Sequence, residues 1–234
     1  MKVFAISDLH LSTVVDKPMD VFGSSWDNYI DLIIADWKDK VTDDDVVLLA
    51  GDFSWAMRMP DALPDFALLA DLPGKKVIIR GNHDYWWNTI SQVRNNLPSG
   101  FYALQNDCLR LGNLLLCGTR GWVCPDGNNL SEDDQKIFLR ERERLELSLK
   151  AMNEQRQATD TVVAMMHFPP FNGRFEESLF TQLFVKYNVP TVVYGHLHGK
   201  DCRAVLSMKK FGIDFYLTSC DLVKNQLVFV TEVD

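Results

Sequence analysis

Cysteine is scarce and scattered. Five occur in 234 residues (Cys108, Cys117, Cys124, Cys202 and Cys220), and no two are spaced as C-x-x-C. An odd set without paired spacing excludes a disulfide framework and a thiolate zinc site, and predicts reduced thiols in a cytoplasmic protein. Long hydrophobic runs are also missing. The opening stretch keeps only Val3, Phe4, Ala5 and Ile6 together before Ser7 and Asp8, too short for the apolar region of a signal peptide. No run reaches the roughly 18 apolar residues of a membrane span. Basic charge is in deficit, with 24 Lys and Arg against 32 Asp and Glu, a net charge of −8. That argues against a broad basic surface for nucleic acid or anionic membrane. It leaves room for a small anionic substrate, because a bound metal can supply the local positive charge.

What is present is ordinary globular material: 47% hydrophobic and 24% charged residues, in a chain long enough to bury a core without staples. No internal repeat or low-complexity tract interrupts it. Short β-rich apolar runs fall at 2–6, 46–50, 76–79, 114–117, 161–166 and 191–194. Several lack polar alternation, as strands covered on both faces do. Helical spacing separates them. Trp26, Tyr29, Ile30, Ile33, Ile34 and Trp37 predict a helix over 26–38. Others are expected over 61–71, where Pro64 permits only a first-turn start around it, and over 176–187. The longest pattern, 131–157, has a capping arrangement in Ser131 and Asp134 and an apolar stripe of Phe138, Leu145, Leu149 and Met152. It reads as a helical insertion in a single domain spanning 1–234, either a solvated surface helix or a lid or partner-binding helix near the site. Runs at 202–206, 213–218 and 226–230 predict consecutive antiparallel strands joined by short turns. The whole is an α/β domain with two sheets.

The five histidines carry the chemistry. Asp8-Leu9-His10, Gly51-Asp52, Gly81-Asn82-His83-Asp84, His167 and Gly195-His196-Leu197-His198 each lie just beyond an apolar run. Loops beyond the carboxyl ends of parallel strands gather at one sheet edge, where ligands bind. In D-x-H and H-x-H, alternate residues of an extended backbone point the same way and reach one ion. Imidazole with carboxylate oxygen suits Mn, Fe, Zn or Ni, and glycines at 51, 81 and 195 permit sharp turns and close backbone approach.

Taken in order, these blocks resemble the calcineurin-like metallophosphoesterase superfamily. The opening Ile6-Ser7-Asp8-Leu9-His10-Leu11-Ser12 is similar to bacterial predicted phosphohydrolases of that group. The resemblance implies a four-layer fold, two mixed β-sheets packed face to face with helices outside, and a pair of divalent metal ions. It implies that Asp8, His10 and His198 hold one metal, that Asn82, His167 and His196 hold the other, and that Asp52 bridges them. The implied reaction is hydrolysis of a phosphate monoester or diester of a small molecule by a metal-bridging hydroxide. His83 would stabilise transition-state charge or protonate the leaving group, with a supporting structural role as the alternative. Asp84 would orient His83 and favour its protonated form.

One departure narrows the substrate. The protein phosphatases of the superfamily continue Gly-Asp into Asp-Arg-Gly. Here the block reads Gly51-Asp52-Phe53-Ser54-Trp55-Ala56-Met57-Arg58, which disfavours that branch. Arg58, Arg120 and Arg174 are candidate phosphate contacts, each with an ordinary ion pair as the competing reading. Tyr85, Trp86, Trp87 and Trp122 either wall a substrate pocket or pack helices against the sheet. A metal-dependent nuclease and a non-catalytic metal-binding scaffold are the other two readings. Neither a membrane nor an extended nucleic-acid partner is expected, and the oligomeric state is left open.

Overall fold

The computed structural model describes residues 1–127, 130–199, 202 and 204–234. Six of its strands take up the apolar runs: β1 (Lys2–Ile6), β2 (Val46–Leu49), β3 (Lys75–Ile78), β6 (Leu114–Thr119), β7 (Thr161–Met166) and β8 (Thr191–Tyr194). The short β4 (Phe101–Ala103) and β5 (Leu109–Leu111) lie between β3 and β6. β9 (Ser207–Lys210), β10 (Ile213–Leu217) and β11 (Val228–Glu232) complete the set. They form a five-stranded sheet in the order β11-β1-β2-β3-β4 and a six-stranded sheet in the order β5-β6-β7-β8-β10-β9. Each sheet is parallel through its centre, with antiparallel strands only at its edges.

Alternation along each strand builds the layers. Val3, Ala5, Val46, Leu48 and Val77 meet Leu114, Leu116, Val163, Met165 and Val193 between the sheets. Phe4, Ile6, Val47, Leu49 and Ile78 point the other way, against α1 (Tyr29–Lys40), α2 (Met59–Ala70) and α3 (Ile90–Asn96). On the far face Leu115, Cys117, Val162, Ala164 and Val192 pack under α4 (Glu132–Gln155) and α5 (Leu179–Lys186). Both faces of both sheets are therefore covered, which is why the runs carry no polar alternation. Among the described residues no helix is long and apolar enough to cross a membrane.

Some expectations need correction. α2 starts at Met59, five residues before Pro64, which lies inside it. Pro64 forgoes one backbone bond, and burial of Ala62, Phe66 and Leu69 against the sheet holds the turn together. Trp26 closes a 3-10 turn instead of opening α1, because Asn28 takes a left-handed conformation between them. Part of the 202–206 run lies outside the described residues, and the strand there is Ser207–Lys210. β9 and β10 do form an antiparallel hairpin. β11 leaves them and pairs antiparallel with β1 in the other sheet, where Val230 and Val233 fill the space between the layers. All four stripe residues of α4 are buried.

Candidate metal centre

The parallel strands β1, β2, β3, β7 and β8 end at one edge, and each releases its motif there. The turns are tight. Asp8, His10, Asp52 and His196 all have positive φ, between 46° and 72°. Side chains other than glycine and asparagine seldom take that conformation, and it persists only where surrounding structure fixes it. Here the fixing contacts are backbone hydrogen bonds between loops, from Asp8 N to Gly51 O (2.9 Å) and from His10 N to Asp52 O (3.0 Å). Gly81 and Gly195 let these loops touch. A Cβ at Gly81 would strike the Asp52 carboxylate, and one at Gly195 would strike the Asp8 carboxylate and the Ser7 hydroxyl.

Two triads of donor atoms result, Asp8 with His10 and His198, and Asp52 with His167 and His196, each within 4.8 Å of one another. His10 Nε2 lies 3.4 Å from His198 Nε2, and His198 Nε2 lies 3.3 Å from Asp8 Oδ1. In the second triad His196 Nδ1 is 3.3 Å from His167 Nε2. Asn82 joins that group, its Oδ1 lying 2.7 Å from His167 Nε2 and 3.0 Å from His196 Nδ1. Asp52 faces both triads through one oxygen: Oδ2 is 3.7 Å from His10 Nε2 and 3.4 Å from His167 Nε2. Its other oxygen accepts the His83 backbone N–H at 2.8 Å. Imidazole nitrogens converging in pairs on carboxylate oxygens form a donor set that fits divalent transition metals.

The electrostatics express the same crowding. Burial alone would raise the Asp8 carboxyl, but His198, His167 and His10 overcome it and hold it well below the usual range. Burial likewise opposes ionisation of Asp52, and His167 pulls it down. Burial works against a charged His167, yet Asp52 and Asp8 lift it to about 9. His198 is lifted to about 10 by Asp221 and Asp8 against the same burial. Burial wins at His10 and at His196, both of which fall to about 4.

Asp84 does not do what its position beside His83 suggests. Its buried carboxylate accepts backbone N–H groups from Asp52 (3.0 Å), Phe53 (2.9 Å), Ser54 (3.2 Å) and Gly81 (2.7 Å), and the indole N–H of Trp86 (3.0 Å). Among the described residues no hydrogen bond joins it to the His83 ring. It pins the β2 loop to the β3 loop. Burial, with Asp52 adding to it, pushes its carboxyl up to about 6. The His83 ring is half-buried, with the Tyr85 hydroxyl 3.4 Å from Nδ1 and the Trp55 ring 4.6 Å away.

The substrate-side candidates scatter. Trp86 is fully buried, packed against Phe53 and Phe66. Trp87 is buried too, its N–H donated to Gln105. Arg58 is largely exposed and paired with Asp61 at 3.0 Å. Arg174 is exposed and paired with Asp126 and Glu176. Arg120 is mostly buried, near Glu141 at 3.4 Å and over the Trp122 ring at 4.8 Å. The aromatic wall beside the candidate metal ligands comes from elsewhere. A cleft of about 370 Å³ is lined by His10, His83 and His198 together with Met19, Phe22, Trp26 and Trp55. Trp55 stacks on the His10 ring with centroids 4.6 Å apart, and the Lys17 ammonium lies 3.1 Å above Trp55. Sequence reading missed Trp55 as a site residue although it stands three positions after Asp52. It also missed Asp221, which holds His198 at 2.9 Å. Asp221 falls just beyond β10 and obeys the same strand-end rule as the others.

Comparison with known proteins bears on this geometry. Residues 1–200 match the family model described as Calcineurin-like phosphoesterase. No curated protein matches the chain. Among solved structures, TT1561 of Thermus thermophilus is 12% identical and aligns with a TM-score of 0.55, covering 99% of this chain and 98% of that one. AQ665 of Aquifex aeolicus, a protein of unknown function, is 14% identical with a TM-score of 0.51, covering 97% of this chain and 94% of that one. At such identities the two structures share the fold. With that architecture and the match across most of its length, the chain belongs to the calcineurin-like phosphoesterase family.

Proposed function

We propose that the protein hydrolyses a phosphate monoester or diester of a small molecule at a pair of divalent cations. The observation that carries this reading is Asp52 Oδ2, which faces His10 of one triad at 3.7 Å and His167 of the other at 3.4 Å. A single carboxylate oxygen shared between two donor sets is suited to hold two ions at close spacing. Asp8, His10 and His198 hold one cation, Asn82, His167 and His196 the other. When bound, the pair supplies Lewis acidity toward phosphoryl oxygens and lowers the pKa of water near it. Mn, Fe, Zn and Ni all suit this ligand chemistry.

The chain's own groups do the rest. His83 lines the same cleft as His10 and His198. It acts on the leaving oxygen, by protonating it or by stabilising its developing charge. The Tyr85 hydroxyl at Nδ1 orients that ring. Trp26, Trp55 and Phe22 form an apolar wall for the organic part of the substrate and exclude water from it. An aromatic cleft of about 370 Å³ in a chain of net charge −8 supports a small phosphorylated molecule over extended nucleic acid.

The test is a metal-reconstituted screen of mono- and diester substrates, beginning with bis-p-nitrophenyl phosphate. Asp52→Asn is expected to lose both metal occupancy and rate. His83→Ala should retain its metal and lose about 10²- to 10⁴-fold in kcat. Bound metal without turnover on any ester would sink the reading and leave a binding scaffold.

A further inference from the structure

Where the carboxyl ends of β3 and β4 in one sheet face β6 of the other, a polar cavity of about 160 Å³ opens. It adjoins the metal loops. Arg80, which lines it, stands two residues before Asn82. The carbonyl of Arg120, another lining residue, accepts the His167 backbone N–H at 3.1 Å. No metal ligand lines the cavity.

Charge inside it is unbalanced. Three arginines, Arg80, Arg120 and Arg144, line it with one acidic residue, Glu141. Glu141 is fully buried and already engaged: it accepts the Thr119 hydroxyl at 2.7 Å, Arg144 at 2.6 Å and Arg120 at 3.4 Å. Arg80 has no ion pair among the described residues. The Nε–H groups of Arg80 and Arg120 are both buried, and neither has a hydrogen-bond partner among the described residues. The other polar walls include Asn88 and Gln105. Gln105 Oε1 accepts the Trp87 indole N–H at 2.6 Å. Burial, with Arg80 and Arg144 nearby, holds the Arg120 guanidinium below its ordinary value in spite of Glu141.

Buried N–H donors and charges without partners are costly, and native structures rarely keep them unless something answers them. The guanidinium fork fits tetrahedral oxyanions through paired hydrogen bonds. A cavity of this size has the volume of about five water molecules, enough for one such ion. We propose that this arginine cavity is a second anion site, taking a phosphate-class oxyanion on Arg80, Arg120 and Arg144, with Glu141 holding two of the three guanidinium groups in position. The oxyanion is either free inorganic phosphate or a second phosphoryl group of the molecule whose ester lies at the metals.

The experiment uses the full chain after chelation and dialysis, so that phosphate has no metal to bind. Inorganic phosphate is titrated by calorimetry at constant ionic strength. Saturable binding is expected, weakened at least about tenfold in Arg80→Gln and in Arg144→Gln. Arg144 is partly exposed, so its variant should fold even if Arg80→Gln does not, and circular dichroism checks both. A second arm separates the sources on the manganese-loaded protein, comparing adenosine 3′,5′-bisphosphate with adenosine 5′-monophosphate. Tighter binding of the bisphosphate, lost in Arg144→Gln, assigns the site to a substrate group. No such advantage, with inorganic phosphate still bound by the chelated protein, assigns it to the free ion. Absence of saturable phosphate binding to the chelated protein, or equal binding by both folded variants, overturns the site. The metal reading is untouched by that result, because metal content is measured separately.

Discussion

The Asp221 carboxylate lies 2.9 Å from Nδ1 of His198, which turns the other ring nitrogen toward Asp8 Oδ1 at 3.3 Å. Its second oxygen accepts the Gly199 backbone N–H at 2.9 Å and fixes the loop that carries the histidine. A carboxylate behind a ligating imidazole sets its tautomer and raises its basicity. Asp221→Ala should therefore weaken binding at the Asp8 triad by about 10- to 100-fold while the other triad keeps its affinity. Manganese titration followed by calorimetry resolves the two steps. Two unchanged steps would mean that Asp221 serves only the loop.

The same ion pairs predict how metal binding depends on pH. In the metal-free protein His167 is raised to about 9 and His198 to about 10, from an ordinary 6.5. Both carry a proton at pH 7, whereas His10 and His196, lowered to about 4, do not. A cation needs a bare nitrogen, so loading both ions at pH 7 should release about two protons, and apparent affinity should climb with pH toward 9. For stability the sign is the reverse. The two raised groups stabilise the metal-free fold fully below pH 6.5, and the contribution disappears as pH rises through 9 to 10. Calorimetry in buffers of different ionisation heat counts the protons. A count near zero would contradict the charged imidazoles.

Much of this was readable from residue order. Uninterrupted apolar runs ending in Asp, Asn or His fix both the strands and the edge where their loops meet, because each strand is covered on two faces and parallel to its neighbours. What periodicity does not carry is long-range pairing. β11 has the same local pattern whether it joins β10 or crosses to β1, and only the space between the sheets decides. The three-residue β4 and β5 are too short to show a period. Trp86 and Trp55 stand on either side of the same question. Both are indoles near a motif, yet one is sealed under α2 and the other faces the cleft. That choice belongs to the helix packing, which composition alone leaves undetermined.

Asp84 is expected to matter for stability before it matters for proton transfer. Replacing it by alanine leaves four backbone N–H groups and the Trp86 indole without their acceptor. Each buried donor left unmet costs about 1–3 kcal/mol, so a loss of at least about 3 kcal/mol is expected even if water reaches some of them. Urea unfolding of the metal-free Asp84→Ala protein measures it. A loss under about 1 kcal/mol would show that the loops hold without this carboxylate.

The loops also have to touch, and Gly81 tests that directly. A Cβ there would collide with both the carboxylate and the backbone nitrogen of Asp52. Neither can yield easily, since the Asp52 N–H is held by Asp84 and its Oδ1 by the His83 N–H. Gly81→Ala should push Asp52 out of the position between the triads and cost metal at both, with a capacity well below that of the parent protein. Gly173→Ala is the matched control, because a Cβ at that position meets nothing within 4 Å and an exposed glycine outside the left-handed region tolerates alanine within about 0.5 kcal/mol. Metal analysis after gel filtration compares the two. Full metal content in Gly81→Ala would show that the β3 loop can retreat without disturbing Asp52, and would remove close backbone approach from the account of how this centre is built.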